Sequence, residues 1–146
     1  LMPITFTNDF KNILDKLQSI LRTEFKNTLP VYVGEDNEKA GSQYLRIDPE
    51  SSNLLEYNVN SELREYTINM FLYFNDKSHS RNKLDAVLRL ISRIEAVIHD
   101  NITITLSDST KLFNNRVENT TLDATEDSEN YVVQFVFQGQ HLANTA

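Results

Sequence analysis

In the run REYTINMFLYFND, residues 64–76, Tyr66, Ile68, Met70, Leu72 and Phe74 occupy one side of an extended chain. The other side carries Phe71 and Tyr73 beside Thr67, Asn69 and Asn75. A strand with one wet face alternates apolar and polar residues, so aromatics on the outer side imply a second contact surface. Length and apolar content make this run the expected centre of a sheet. The closing run YVVQFVFQG, 131–139, has the same character, with Val132 and Val136 opposite Tyr131, Val133, Phe135 and Phe137.

Two other stretches repeat every three to four residues. From Asn8 to about Asn27, Phe10, Ile13, Leu14, Leu17, Ile20, Leu21 and Phe25 form one helical stripe. Thr7 or Asn8 is placed to cap it, Asp9 lies in its first turn, and Pro30 disfavours helical geometry at Leu29. The opposite face, with Lys11, Asp15, Lys16, Arg22 and Glu24, is expected to be solvated. From Ser80 to His99, Leu84, Val87, Leu88, Ile91, Ile94 and Ile98 make the second stripe, with Ser78 or Ser80 as cap.

Between these elements, LPVYVGE (29–35) and QYLRID (43–48) read as short strands. Pro49 and the serines after it end the second, and LLEYNVN (54–60) is weakly strand-like. Beyond the second helix, ITITL (102–106) is a short strand, KLFNNRVEN (111–119) a weaker one and TTLDATEDSEN (120–130) an acidic loop. The order is helix, three strands, helix, then two or three strands. Strands grouped around a helix, rather than alternating with helices, predict an α+β fold: a largely antiparallel sheet packed against two amphipathic helices.

Composition adds bounds. With 146 residues, 40% of them hydrophobic and 24% charged, residues 1–146 read as one domain able to bury a core unaided, with 1–5 and 140–146 as flexible ends. The absence of cysteine excludes disulfides and thiolate chemistry and fits a reducing compartment. No apolar run approaches the ~20 residues that span a bilayer, so a soluble protein with no membrane partner is expected. A net charge of −7 argues against general phosphate-backbone binding.

Candidate chemistry is sparse. His79, His99 and His141 stand far apart, at no metal-ligand spacing; His99 suits the end of a helix dipole and His141 a solvated tail. With only three glycines, at 34, 41 and 139, neither a phosphate loop nor a dinucleotide fingerprint is present, and no nucleophile elbow occurs. The acidic segments Glu35, Asp36, Glu38 and Asp123, Glu126, Asp127, Glu129 lack the ligand spacing of a calcium loop. Accordingly no catalytic, cofactor-binding or metal-ligating residue is assigned, and an enzyme is not expected. The competing reading is a small-molecule-binding or hydrolytic domain whose curved sheet encloses a pocket lined by Tyr66, Met70 and Phe135.

Charge is segregated. Arg81, Lys83, Arg89 and Arg93 outnumber Asp85 and Glu95 on the second helix. Besides a solvated face with an Asp85–Arg89 pair, the pattern fits docking of this helix on the acidic Asp123, Glu126 and Asp127 segment of a neighbouring copy. Phe71 and Tyr73, with Val132 and Val136, would form an apolar patch away from the helices, unless the LLEYNVN segment folds over it.

From about Phe6 to Gln140, the chain resembles the tail-terminator and tail-completion proteins of long-tailed bacteriophages. The likeness rests on FTNDFKNILDKLQSILRTEF, VYVGE, YLRID, REYTINMFLYFND, NKLDAVLRLISRIEAVI and YVVQFVFQG in that order. It implies a structural virion protein, assembled in the host cytoplasm, that forms a homo-oligomeric ring, usually a hexamer, on the head-proximal end of the tail tube. Its implied partners are further copies of itself, the tail tube protein and a neck or connector protein. DNA would pass through an acidic lumen without specific binding. Neck and head-closure proteins of similar size share these implied properties.

Overall fold

A computed structural model describes residues 8–26, 29–34, 43–75, 81–124 and 130–144. In chain order the elements are α1 (Asp9–Glu24), β1 (Val31–Val33), β2 (Gln43–Tyr57), β3 (Ser61–Asn75), α2 (Arg81–Asp100), β4 (Thr103–Thr105), β5 (Lys111–Ala124) and β6 (Asn130–Asn144). The strands form one six-stranded sheet in the order β1-β2-β3-β6-β5-β4. β1 runs parallel to β2, and the other neighbours are antiparallel, giving the expected single-domain α+β fold.

Hydrophobic periodicity explains the core. The α1 stripe places Ile13, Leu14, Leu17 and Leu21 inside, followed by Phe25. The Asn8 side chain accepts a hydrogen bond from the Lys11 amide and starts the helix. Against the helices lie cross-strand rows Leu45–Leu72–Val133 and Ile47–Met70–Phe135, with Ile68 opposite Phe137. All eight side chains are fully buried, each worth about 1.5–3 kcal/mol relative to exposure. Tyr66, Met70 and Phe135, which the competing reading puts in the wall of a pocket, belong to this packed layer.

Several expectations are corrected. β2 does not end at Pro49: it continues to Tyr57, with register shifts at Pro49/Ser51 and Leu54/Glu56. Pro49 is tolerated because β1 pairs only with Leu45, Arg46 and Ile47, leaving β2 beyond them a sheet edge that needs no amide donor on that side. Residues 54–57 therefore extend the β2–β3 hairpin rather than folding over the sheet. The presumed acidic loop contributes residues 120–124 to β5, whose alternation is hidden by irregularities at Phe113/Arg116 and Val117/Asn119 and by the left-handed backbone of Asn114.

β6 runs to Asn144, so residues 140–144 are strand rather than a loose end, and His141 is buried at 1% exposure rather than solvated. Among the described side chains of α2 the buried positions are Val87, Ile94, Val97 and Ile98, while Leu88, assigned to the apolar stripe, is 45% exposed and the side chain of Leu84 lies outside the description. A 100° step separates neighbours on a helix, and the sheet meets the Val87 side of the stripe.

The helices also close two sheet edges. Gln18 and Arg22 of α1 donate three hydrogen bonds, at 3.0–3.1 Å, to the Val31 carbonyl of edge strand β1. On the far side, the Val117 amide of β5 donates to His99 Nε2 at 3.4 Å, and Thr120 Oγ1 donates to Glu95 at 2.7 Å. Among the described residues, the outer edge of β2 past Ile47 has no strand beside it.

Candidate assembly surfaces

The sheet face away from the helices carries the aromatics singled out by the sequence. Tyr44 stacks on its cross-strand neighbour Tyr73 with ring centroids 4.7 Å apart, and Tyr32 meets Tyr44 edge-on at 6.0 Å. The Arg46 guanidinium sits 5.0 Å from the Phe71 ring centroid and 5.7 Å from that of Tyr73, a cation–π arrangement. Its Nε donates to Asp48 at 2.8 Å. Burial raises the Tyr44 pKa, with Tyr73 adding to the effect and Arg46 opposing it. Phe71 and Tyr73 are half-buried, sheltered by this plate of rings and by Arg46.

Further along the same face the chemistry turns polar. Gln134 donates to Asn69, Gln138 to Thr67 and Gln140 to Glu65 across the β3–β6 ladder. Arg116 donates to Gln138 at 3.0 Å and to Glu65 at 3.4 Å, and pairs with Glu118. Burial works against the Arg116 charge, but the two carboxylates outweigh it and raise its pKa. Thus the face has an apolar plate at one end and a hydrogen-bonded field beside it, the mixed texture of non-obligate interfaces.

The charged residues of α2 divide. Arg89 is exposed and pairs with Asp85 at 3.0 Å, a contact worth at most about 1 kcal/mol. Arg93 is engaged within the chain: Nε donates to Glu24 Oε1 at 3.1 Å, Nη2 donates to the Glu24 carbonyl at 2.9 Å, and the guanidinium lies 4.6 Å from the Phe25 ring centroid. It caps the end of α1. Arg81 and Asp123 lie on described backbone with side chains outside the description, while Glu126 and Asp127 lie outside the described residues, as do Glu35, Asp36, Glu38, Ser78, His79 and Ser80.

His141, missed as a buried group, lies under a small polar cluster. Its Nε2 is 2.8 Å from Thr110 Oγ1, and that hydroxyl donates to Asp108 at 2.5 Å. With its one proton directed to Asp108, Thr110 accepts from a protonated His141 Nε2. A nucleophile triad needs the imidazole between hydroxyl and carboxylate; here the hydroxyl is in the middle, so His141 does not activate it. The Thr110 hydrogen bond is the main cause lowering the Asp108 pKa. Burial raises the Asp9 pKa against the pull of His141. No group of three or more His, Asp or Glu suited to a metal occurs among the described residues. An open groove of about 340 Å³ between α1 and α2, with Ile20, Val97, Lys16, Glu24 and Asp100 in its walls, holds no activated nucleophile either.

A group of exposed apolar residues among the described ones was not singled out from sequence. At the far end of the β2–β3 hairpin, Leu54 and Leu55 are 49% and 47% exposed, Tyr57 is 66% and Val59 is 87%, with Leu142 of β6 at 52% beside them. Reading LLEYNVN as weakly strand-like concealed this hairpin arm, which β6 flanks as far as Asn144.

No protein-family model matches the chain, and no curated protein matches it significantly. Solved structures do. A chain of the virion of a native gene transfer agent particle is similar over 90% of this chain and 98% of its own, at TM-score 0.56 and 10% identity. Another solved chain, whose name states no function, is similar over 95% of this chain and 97% of its own, at TM-score 0.63 and 11% identity. At such identities the shared property is the fold, which this chain has almost end to end in common with a chain of the gene transfer agent virion.

Proposed function

We propose that this protein is a non-enzymatic structural subunit of a phage-type virion, forming a ring at the head-proximal end of the tail that ends the tube and joins it to the neck. The observation carrying this reading is the near full-length likeness to the gene transfer agent virion chain. The aromatic plate around Phe71 and Tyr73 supports it, because aromatic surface beside a polar field suits contact with another subunit. In a ring, usually of six copies in the family the sequence resembles, further copies of the chain would cover this face. The tail tube protein would bind below and the neck or connector protein above.

With a net charge of −7, the lumen would let DNA slide past without adhering. The test is to add the purified protein to growing tail tubes and image them. Tubes of uniform length, each with one extra ring at a single end, are expected. Tubes that lengthen unchecked would overturn the terminator role, and binding to head portals instead of tubes would assign the protein to head closure.

A further inference from the structure

We infer that His99 is a proton-operated latch: as a neutral imidazole it fastens the end of α2 to the outer edge of β5, and when protonated it lets that edge go. The device belongs to the single chain and does not depend on the ring reading. β4 pairs with Lys111, Leu112 and Phe113, so among the described residues no strand lies beside the rest of β5 on that side. The end of α2 and the turn after it stand there instead and supply three acceptors. The Asn115 amide donates to the Ile102 carbonyl at 3.1 Å, the Val117 amide to His99 Nε2 at 3.4 Å, and the Thr120 hydroxyl to Glu95 Oε1 at 2.7 Å. The two amides are thereby satisfied at an edge that has no ladder partner.

Of these three acceptors only His99 can be switched off. A backbone amide can only donate, so Nε2 offers its lone pair and the ring hydrogen of the neutral form sits on Nδ1. In a protonated imidazole both nitrogens are donors, which sets one N–H against another at Val117. The Ile102 carbonyl accepts at any pH, and a carboxyl oxygen of Glu95 accepts in either protonation state. The released cation has partners on its own helix: Glu95 one turn earlier, Asp100 beside it, and the carbonyls of the last turn of α2.

The ring thus has a favourable partner in each state, on the strand when neutral and along the helix when charged. The charges brought by the neighbouring elements do not replace either partner. On β5, Arg116 and Glu118 flank Val117, but Arg116 bonds to Gln138 and Glu65 across the sheet and pairs with Glu118. β4, which follows α2, carries Thr103, Ile104 and Thr105 and no charge. α1 brings Lys16 and Glu24 to the groove that Asp100 also lines, and Glu24 is held by Arg93. His99 itself is exposed, so protons reach it directly. The latch is present in the neutral state and is lost as pH falls through the range of about 8 to 5 in which imidazoles titrate.

The experiment is amide hydrogen exchange by NMR on the full chain from about pH 8 to about pH 5, with rates expressed as protection over the unstructured peptide. Val117 is expected to lose protection by about three- to tenfold on acidification, the worth of one hydrogen bond, while Asn115 on the same edge stays within about twofold. In His99→Gln, whose amide oxygen accepts but does not titrate, the Val117 loss is expected to vanish. The nitrogen shifts of His99 at the upper pH are expected to report the hydrogen on Nδ1. Val117 protection that does not change with pH, or that falls together with Asn115, would overturn the latch. So would a pH dependence that persists in His99→Gln, or a neutral ring with its hydrogen on Nε2.

Discussion

Gly139 sits where β6 passes beneath the buried Asn115, and the clearance there sets a sharp stability prediction. A Cβ added at Gly139 would lie 2.4 Å from Asn115 Oδ1 and 3.1 Å from Leu112 Cγ. Ordinary carbon–oxygen contact is about 3.4 Å, so the amide must retreat by roughly 1 Å. It is held in place: Asn115 Nδ2 donates to the Asn101 carbonyl at 2.9 Å and to the Leu112 carbonyl at 3.1 Å, and the side chain is 2% exposed. Losing those two bonds costs about 1 kcal/mol each, and overpacking adds about 1–3 kcal/mol if the backbone moves instead.

Gly139→Ala is therefore expected to destabilise by about 2–4 kcal/mol, lowering the melting temperature by roughly 5–15 °C for a chain of this size. Calorimetry on the single variants and on Gly139→Ala/Asn115→Ala reads the coupling. With the Asn115 amide gone, the alanine meets only Leu112, and its cost should fall below about 1.5 kcal/mol. A Gly139→Ala protein that melts within about 2 °C of the parent, or equal costs in both backgrounds, would refute the geometry.

Arg93→Ala is expected to destabilise the monomer by about 1–2 kcal/mol in denaturant titration, with Lys restoring little because it lacks the fork that reaches both Glu24 oxygens. An unchanged monomer that fails to assemble would instead make Arg93 an interface residue. Phe71→Asp should leave folding intact by circular dichroism yet abolish rings in negative stain; unfolding would place Phe71 in the core. For pH, the lowered pKa of Asp108 contributes stability above its ordinary value of 3.8 that is lost as pH falls through the depressed value. The raised pKa of Asp9 does the reverse, costing stability once pH rises through the elevated value. Denaturation midpoints against pH should show Asp108→Asn losing its deficit in acid and Asp9→Asn gaining on the parent as pH rises, and parallel curves would contradict both assignments.

Elements with an unbroken period were legible in the sequence. Ile13, Leu14, Leu17 and Leu21 fall inside as their spacing requires, and the even positions of β3 from Tyr66 to Phe74 line the core. Elements whose period is interrupted were not. Pro49 looks like a strand end unless one knows that β1 stops at the residue paired with Ile47, and the irregularities in β5 flip side chains out of phase. His141 hid behind Gly139, which reads as a terminus but marks the close passage of β6 under Asn115. Leu88 was misplaced by one helical step. The aromatics Phe71 and Tyr73 were visible as a second face, but the arm tip and the role of Arg46 in sheltering that face depend on pairings distant in sequence.

The central claim is that this sheet presents more apolar surface, on the Phe71 face and on the arm, than its own helices cover, and that further copies of the chain cover it. The molar mass of the purified protein in solution, followed by sedimentation velocity over a wide concentration range, tests this most directly. A discrete closed assembly that grows in population with concentration is the predicted result, and a single monomeric boundary at every concentration would contradict it.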